Sequence, residues 1–587
     1  MFKQRLAKKL LPLAVMSTVA FTSLTGNPVS VDAKEANKTP EIKNVILLIG
    51  DGMGPIYNSA YRSLKDDKST PMMENTAFDD YLVGMQSVYS WDKEESIPDS
   101  AATATSMAAG IKTYNNAIAV DMNKQEVKTV LEQAKEDGKA TGLVATSQVN
   151  HATPASFGAH DESRHNYNDI ADDYYDELVN DEHKIDVILG GGTSYFERED
   201  RNLADEFKQD GYSYVKTRDE LLNDTNEQIL GLFAPKGLDK MIDRPDTMPS
   251  LVEMTETAIE RLNKDEDGFF LMVEGSQIDW AGHDNDVVAA MSEMEDFEQA
   301  FKAAIEFAKQ DKHTLVITTA DHSTGGMAMG RDGVYKWEPE TLKQAKRTPD
   351  YMAAQIVNGA DVEATLTENI GFKLTAEEIQ SVKDAAAAEG ATSVSIDDAI
   401  EKIFDLRSGT AWTTGGHTGE DVIVYAYGPQ SQLFAGKIDN TDVGKHVFNI
   451  LEENKTANDD KKEENNGNET EQKIGIFING QLKIVNDHPM IKHGRTLLPV
   501  RSIFEELGST VEWDQSTQTV TIVNGDTTLT LKVNSKVAMK NNAKMELEAD
   551  PEVVKGKTMI PLRFIAEALG AEVKWDSKTN NIYITTK

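Results

Sequence analysis

The stretch NVILLIGDGMG, residues 44–54, decides the fold of this chain. Residues 45–49 form an uninterrupted apolar run of strand length, and Asp51 follows the run between two glycines. A strand that is apolar on both faces is typical of a parallel sheet covered by helices on both sides. The stretch therefore predicts a central strand of an α/β fold, with Asp51 at the carboxyl end of that strand.

Further apolar runs of strand length alternate with helical segments along the chain. These runs are residues 141–146, 185–189, 269–273, 315–319 and 422–427. We therefore predict an α/β fold whose central, mostly parallel sheet is flanked by helices.

The stretch between His322 and His417 lacks a strong strand pattern. It has capping-box spacings at Thr375/Glu378 and Ser395/Asp398, which predict a helical insertion near the site mouth.

Composition limits the class of protein. The chain has 587 residues, of which 39% are hydrophobic and 27% charged, as in ordinary globular proteins. Its formal net charge of −38 argues against nucleic acid as the main partner, because phosphate backbones need a basic footprint. The absence of cysteine excludes disulfides, thiolate metal sites and cysteine nucleophiles.

Residues 1–33 have the features of a secretory signal peptide. A basic head precedes the apolar residues 10–24, and Val31-Asp32-Ala33 offers small residues for cleavage before Lys34. A membrane-spanning helix needs about 20 apolar residues, and this run is shorter. An uncleaved anchor is the alternative. We expect a secreted, extracellular protein, with association with the cell surface as an option.

The segment 452–473 contains eight acidic residues, four lysines and no aromatic residue. Such a composition cannot bury enough apolar surface to fold, which predicts a disordered acidic linker. The linker separates a catalytic body, residues 34–451, from a tail domain, residues 474–587. The body carries the net charge of −38, whereas the tail is nearly neutral at +1.

The tail contains an internal repeat. Similar segments begin at Gly494 and Gly556, which are 62 residues apart. Each copy has apolar residues at helical spacing followed by a strand, so we predict a small α+β repeat domain. The pattern resembles the stalk-like domain related to the N-terminal domain of copper amine oxidases. This resemblance implies neither bound copper nor catalysis.

Polar side chains follow several of the predicted strands. Ligands of open α/β sheets collect at the carboxyl ends of the strands, so these side chains are expected to converge there. Each of them alone has an ordinary explanation, such as a helix cap, but their coincidence indicates a site. They are Asp51, His151, Thr153, Glu274, Asp321 and His322.

Asp279 and His283 are four residues apart, so on a helix both would point to one side and could hold one metal ion. His417 would supply another nitrogen. Mixed imidazole and carboxylate ligands suit zinc, whereas an oxygen-only set suits magnesium. Clustered carboxylates with little nearby Lys or Arg would repel one another without divalent cations.

Ser100 directly precedes an alanine-rich segment, so it would stand at a helix N-terminus. Free backbone N–H groups and the positive end of the dipole favour a phosphate there, although a plain serine N-cap is the simpler explanation. Arg164 could bind two phosphate oxygens, or it could form an ordinary surface salt bridge.

Taken together, these motifs resemble the alkaline phosphatase family. DGMG, PDSAATAT, HATPASFGAH, VEGSQIDWAGHDND, TADHSTGG and GGHTGED occur in the family's order over residues 50–420. The resemblance implies metal-dependent hydrolysis of phosphate monoesters through a phosphoserine at Ser100, with Arg164 on the phosphate. It also implies two Zn²⁺ and one Mg²⁺. The zinc ligands would be Asp279, His283 and His417 for one ion and Asp51, Asp321 and His322 for the other.

The third site would be held by Asp51, Thr153 and Glu274, with His151 where some members carry Asp. Trp280 likewise stands where those members carry Lys. An imidazole changes the charge of this site, so the identity of its metal is less fixed than that of the zinc ions.

Two alternatives remain at this stage: a related metal-dependent phosphodiesterase or phosphonate hydrolase, and a catalytically inactive exported binding or adhesion protein. We expect small-molecule phosphate monoesters as substrates and a contact of residues 474–587 with a cell wall or surface. A homodimer is an option for the assembly.

Overall fold

The structure is a computed structural model. It describes residues 41–464 without a break and, in the tail, residues 475–478, 481–483, 490–492, 495–499, 504, 509–514, 517–533, 535–541, 543–547, 551–554, 557–561, 572–576 and 581–585. The predicted signal peptide, residues 1–33, lies outside the described residues. Within the described part, no helix has the length and apolar character needed to cross a membrane.

The chain divides into two compact units, Met1–Thr456 and Ala457–Lys587. The first unit contains the strands β1 Asn44–Gly50, β2 Leu82–Ser87, β3 Ala140–Gln148, β4 Leu178–Val179, β5 Glu182–His183, β6 Val187–Gly191, β7 Ser213–Val215, β8 Ile229–Leu232, β9 Phe269–Gly275, β10 Thr314–Thr319, β11 Ser323–Thr324, β12 Ala328–Met329, β13 Thr410–Ala411, β14 His417–Thr418, β15 Val422–Tyr427 and β16 Gly436–Asp439.

Helices fill the intervals between these strands. They are α1 Pro55–Lys65, α2 Ser100–Ala109, α3 Val130–Glu136, α4 Ala152–Gly158, α5 Tyr167–Asp176, α6 Thr193–Phe196, α7 Leu203–Gln209, α8 Arg218–Asn223, α9 Leu251–Leu262, α10 Gln277–Asp284, α11 Val287–Asp311, α12 Pro349–Val357, α13 Val362–Asn369, α14 Ala376–Ala387, α15 Ser393–Ser408 and α16 Asn440–Glu464.

The central sheet has ten strands in the order β16-β2-β15-β10-β1-β9-β3-β6-β8-β7. Each of the six predicted apolar runs coincides with one of these strands, which confirms the α/β fold with a mostly parallel sheet. β15 runs antiparallel to both of its neighbours, β10 and β2, and the other pairings are parallel.

The alternation of side chains along β1 explains why this strand is apolar throughout. Ile46 and Leu48 pack into a core that includes residues of α9 and α11 on one face of the sheet. Val45, Leu47 and Ile49 pack into a second core, with residues of α2 and α3, on the other face. Both faces of β1 are therefore buried, as the continuous run predicts.

The stretch between His322 and His417 contains α12, α13, α14 and α15, so the predicted helical insertion is confirmed. The capping box at Thr375 and Glu378 is present. The one predicted at Ser395/Asp398 is wrong, because α15 begins earlier. Thr392 is its N-cap, and Ser395 closes that capping box as the third helical residue. In this capping box Ser395 stands where glutamate or glutamine is usual, so the sequence pattern does not reveal Thr392 as the N-cap.

Helix α16 continues through Glu464 and thus extends into the segment 452–473. The prediction of a disordered linker is therefore wrong for residues 452–464, where the helix started by residues 440–451 continues despite the polar composition. Residues 465–473 lie outside the described residues. The apolar side chains Val443, Val447 and Leu451 are buried in the second core of the sheet and hold the first half of α16 in place.

In the second unit the structure describes the strands β17 Gly475–Ile478, β18 Gln481–Lys483, β19 Met490–Lys492, β20 Arg495–Pro499, β21 Thr510–Asp514, β22 Thr519–Asn524, β23 Thr527–Lys532, β24 Val537–Lys540, β25 Ala543–Glu546, β26 Glu552–Val554, β27 Lys557–Pro561, β28 Glu572–Asp576 and β29 Asn581–Thr585. The hairpin β21–β22 recurs 62 residues later as β28–β29. Strand β20 pairs with its counterpart β27. Apart from Phe504, the predicted helices of the repeats lie outside the described residues.

Candidate active site

The carboxyl ends of the three central strands bring acidic side chains together. Ile49 of β1 is in register with Glu274 of β9 and with Thr319 of β10. Asp51 follows directly after β1 and Asp321 comes two residues after the end of β10, so their side chains and that of Glu274 meet at one edge of the sheet. Each of the three is completely buried. The structure thus brings together the acidic side chains that the strand-end argument names.

The first of the three groups of possible metal ligands at this edge of the sheet consists of Asp279, His283 and His417. Asp279 and His283 are one turn apart on α10, with Oδ2 and Nε2 separated by 3.3 Å. His417, at the start of β14, places its Nε2 3.1 Å from Nε2 of His283 and 3.7 Å from Oδ1 of Asp279. This mixed nitrogen and oxygen set has the donors that zinc prefers.

The second group consists of Asp51, Asp321 and His322. Nε2 of His322 lies 3.4 Å from Oδ1 of Asp51 and 3.2 Å from Oδ2 of Asp321. Oδ1 of Asp321 accepts hydrogen bonds from the backbone N–H groups of Gly52 and His322. Its Oδ2 has no hydrogen-bond partner and is free for a ligand.

The third group consists of Asp51, His151 and Glu274. Oε2 of Glu274 accepts hydrogen bonds from the hydroxyls of Ser147 and Ser276, whereas its Oε1 has no partner. The hydroxyl of Thr153 is also buried without a partner. Asp51 belongs to both the second and the third group, and both of its carboxylate oxygens lack hydrogen bonds.

These unpartnered atoms provide a test of whether metal ions fit the site. A buried carboxylate without a hydrogen bond is costly, and several close together are more so. Burial, followed by the charges of Asp279, Asp321 and Glu274, raises the pKa of Asp51 well above its usual range. Divalent cations would pair these oxygens and remove the repulsion, so the residues present fit the metal ions that the sequence predicts.

His283 shows the complementary effect. Burial lowers the pKa of His283, but the hydrogen bond and charge of Asp279 outweigh burial and raise the pKa to about 9. In turn, burial is outweighed at Asp279 by that hydrogen bond and by the neighbouring imidazoles, which hold the pKa of its carboxyl below the usual range. Asp279 also accepts a hydrogen bond from the hydroxyl of Thr324.

Ser100 is the first residue of α2, and its hydroxyl shares a 2.9 Å hydrogen bond with Nε2 of His322. The N-cap of α2 is Asp99, which accepts a hydrogen bond from the backbone N–H of Ala102. The simpler interpretation of Ser100 as an N-cap is therefore wrong. Its side chain is instead directed at the second group, beside the positive end of the helix dipole.

Arg164 is held close to Ser100 by a hydrogen bond to the preceding residue, Asp99. Nη1 of Arg164 donates a 3.0 Å hydrogen bond to Oδ2 of Asp99, and Nη2 lies 3.2 Å from Nε2 of His151. Burial, followed by the charge of Arg164, lowers the pKa of His151 to about 3, so this imidazole is neutral. The ring of Trp280 packs edge-on against His151 at 5.7 Å between centroids.

Sequence reasoning assigned no role to Asp99 or Thr324, although both contact site residues. Asp99 stands inside the quoted PDSAATAT motif, where its position just before the helix is the signal for an N-cap. Its second contact, to Arg164 some 65 positions away, has no local signal. Thr324 follows His322 by two residues in β11 and reaches Asp279 only because the chain turns back there.

A cleft of about 480 Å³ opens beside the first group. It is lined by Glu95, Ser96, Ile97, Pro98, Asp99, Asn115, His283 and His417. The cleft therefore provides access from solvent to the imidazoles of the first group and to the start of α2.

Comparisons with known proteins match both parts of the chain to known families. The family model for alkaline phosphatase matches residues 42–453, and the model for the copper amine oxidase N-terminal domain matches residues 477–584. Alkaline phosphatase 3 of Bacillus subtilis is 63% identical over 462 residues, which cover 78% of this chain and all of that protein.

Two solved structures extend the comparison. The cold-active alkaline phosphatase from a psychrophilic Shewanella species has a TM-score of 0.64 and 40% identity, and the match covers 70% of this chain and 99% of that one. A histidine-to-aspartate variant of the alkaline phosphatase from the Antarctic bacterium TAB5 was solved with Mg bound in its M3 site. It has a TM-score of 0.50 and 28% identity over 71% of this chain and 99% of that one.

The fold and the three ligand groups define a metal-dependent hydrolytic enzyme. The chain belongs to the alkaline phosphatase family, and its activity is the hydrolysis of phosphate monoesters. The resemblance found in the sequence is thus confirmed for the body and for the tail. The phosphodiesterase or phosphonate hydrolase and the inactive binding protein are not favoured.

We predict that stability of the metal-free protein depends on pH through Asp321. Burial, followed by the charge of Asp279, raises the pKa of Asp321 from its usual 3.8 to about 7. Between these two values the folded protein retains a proton that the unfolded chain has lost. The free energy of unfolding should therefore fall as pH rises from about 4 to about 7.

The measurement is urea unfolding of metal-stripped protein across this pH range. Asp321→Asn should flatten the slope relative to the wild type, since an amide does not titrate. Equal slopes for the two proteins would contradict the prediction.

Proposed function

We propose that this enzyme acts through a phosphoserine at Ser100, with two Zn²⁺ in the first and second groups and one Mg²⁺ in the third. The observation that carries the proposal is the position of the Ser100 hydroxyl. It is buried at the N-terminus of α2, 2.9 Å from His322 and thus against the second group. When bound, the cations would lower the pKa of the serine hydroxyl and offset the negative charge on the departing oxygen.

The residues of the chain supply the remaining chemistry. The oxygen of Ser100 forms a bond to phosphorus as the bond from phosphorus to the alcohol oxygen breaks, and the alcohol leaves. The oxygen of water then forms a bond to phosphorus as the bond between phosphorus and the serine oxygen breaks. Phosphate is released, and a proton from the water restores the serine hydroxyl. In both steps the backbone N–H groups at the start of α2 and the guanidinium of Arg164 bind the non-bridging phosphoryl oxygens.

Arg164 supports the preference for monoesters. Its contact with Asp99 fixes the guanidinium beside the helix N-terminus, where it can bind two phosphoryl oxygens together with the backbone. A monoester presents one more charged oxygen than a diester does. The alcohol side faces the open cleft, so recognition is concentrated on the phosphoryl group and many alcohols should be accepted.

We expect Ser100→Ala to lower kcat for p-nitrophenyl phosphate by at least about a thousandfold, because the nucleophile is lost. Ser106→Ala is the matched control, since Ser106 is also buried in α2 but donates to the carbonyl of Ala102. The wild type quenched in acid during turnover should carry one phosphoryl group on Ser100 by mass spectrometry. A labelled Ser100→Ala protein, or its full activity, would contradict the proposal.

The third site differs from a purely acidic one because His151 is neutral. The Mg-containing TAB5 variant, in which aspartate replaces a histidine, supports the idea that a carboxylate here favours magnesium. Each added carboxylate strengthens the binding of a hard cation. We therefore propose that this enzyme binds Mg²⁺ more weakly in the third site than a form with aspartate at this position.

The substitution His151→Asp should strengthen Mg²⁺ binding by about tenfold or more, since it adds a negative charge beside Asp51 and Glu274. Isothermal titration of zinc-loaded protein with Mg²⁺ measures the affinity. His313→Asp is the control, because His313 is exposed at the opposite end of β10. An unchanged affinity in His151→Asp would show that the imidazole does not limit this site.

We also propose that the protein is exported and that the tail attaches it to a cell wall or surface. The signal-like residues 1–33 and the match of residues 477–584 to a domain other than the catalytic one support this proposal. The enzyme's site residues all lie in the first unit, so the tail is free for another role.

Truncation after Glu464 keeps α16 whole and removes the tail. We expect the truncated enzyme to keep its specific activity but to move from the wall fraction to the culture medium, in comparison with the full chain. Activity that stays with the wall after truncation would remove the proposed role of the tail.

A further inference from the structure

A second set of acidic side chains converges outside the active site. One carboxylate oxygen from each of Asp284, Asp350 and Asp397 lies within 4.8 Å of the other two. The three residues come from α10, α12 and α15, so distant parts of the chain meet here. We call these residues the insertion cluster, because α12 and α15 belong to the helical insertion.

Several carboxylate oxygens at and around this cluster are buried without a hydrogen-bond partner. Oδ1 of Asp397 has no hydrogen-bond partner, although the residue is only 1% exposed. Asp286 borders the cluster and is 2% exposed. Its Oδ1 caps α11 through the N–H groups of Val288 and Ala289, whereas its Oδ2 has no partner. Oε1 of Glu401, one turn beyond Asp397 on α15, is also buried and unpaired.

These carboxyl groups act on one another. Burial, followed by the charges of Asp350 and Asp286, raises the pKa of Asp397 to about 10. Burial, followed by the charges of Asp286 and Asp397, raises the pKa of Glu401 to about 11. Asp286 and Glu401 are thus close enough to the cluster for the charges among these carboxyl groups to raise their pKa values, and ionising these groups together without a counter-charge is costly.

The nearby positive charge is small. Burial raises the pKa of Asp286, and the positive charge of Lys240 lowers it in part. The ammonium of Lys240 donates a 3.4 Å hydrogen bond to the carbonyl of Gln277. A single ammonium cannot balance the insertion cluster together with Asp286 and Glu401. Exposed Asp398 adds a further negative charge at the edge.

We propose that the insertion cluster, with Asp286 and Glu401, binds a divalent cation, and that this cation is Ca²⁺. The donors are carboxylate oxygens throughout, which suit a hard cation with six to eight oxygen ligands. The absence of an imidazole among these five residues distinguishes the site from the zinc groups, whose donors include nitrogen.

The position of this site gives the cation a structural role. Asp284 is the last residue of α10, the helix that carries Asp279 and His283, and Asp286 is the N-cap of α11. Asp350 and Asp397 lie on the insertion. A cation held between them joins the insertion to the helix that supplies the first group, and it stabilises the body as a ligand that binds only the folded state.

The test uses the full chain with its catalytic sites saturated with Zn²⁺ and Mg²⁺, titrated with Ca²⁺ by calorimetry and followed by thermal unfolding. The wild type should bind one further equivalent of Ca²⁺, and its Tm should rise. Asp397→Asn and Glu401→Gln should each weaken binding by at least about tenfold. Glu389→Gln is the matched control, because Glu389 is exposed in the same insertion.

With Ca²⁺ the wild type should have a higher Tm than the variants, and without Ca²⁺ it should not. Removing one carboxylate relieves repulsion, so Asp397→Asn should have a Tm equal to or above that of the wild type, and Ca²⁺ should then raise only the wild type. This reversal separates loss of the ligand from damage to the fold, and Glu401→Gln gives the same comparison if Asp397→Asn does not fold. The proposal would be overturned if the wild type bound no further Ca²⁺, or if both variants bound Ca²⁺ and gained Tm as the wild type does.

Discussion

The mutual repulsion of buried carboxylates at the end of the central strands is the constraint on which the active site depends. Asp51 stands at its centre, because it belongs to two of the three ligand groups and neither of its oxygens has a hydrogen bond. The fold alone cannot satisfy such a group. Stability of the body and assembly of the catalytic metals are therefore one problem, and the apolar β1 strand supplies the packing that holds Asp51 in place.

Much of the fold could be predicted because its signals are local. Continuous apolar runs identify six strands of the central sheet, and their carboxyl ends locate the ligand groups. The runs do not identify β2, β7, β8 and β16. β2 shows the reason, since it is half-exposed and mixed in composition. Periodicity also cannot give the direction of β15, because an antiparallel strand buried on both faces has the same pattern as a parallel one.

The errors share a physical cause, which is that context overrides composition. The polar residues 452–464 read as unstructured, yet they continue a helix that buried side chains such as Val447 anchor. The role of Asp99 depends on the folded chain in the same way. The role of Asp99 as an N-cap can be predicted from the sequence. Its hydrogen bond with Arg164 forms only when the fold brings α2 and the loop around residue 164 together.

The helical insertion is closed at its base. The rings of His322 and His417, which bracket its 94 residues, stack with centroids 3.6 Å apart, and Ser323 pairs with Thr418 directly beyond them. The entropy of closing a loop grows slowly, by roughly 0.6 kcal/mol for each doubling of its length. A change in the length of the insertion would therefore cost little closure entropy, and the two imidazoles at its neck would keep their spacing.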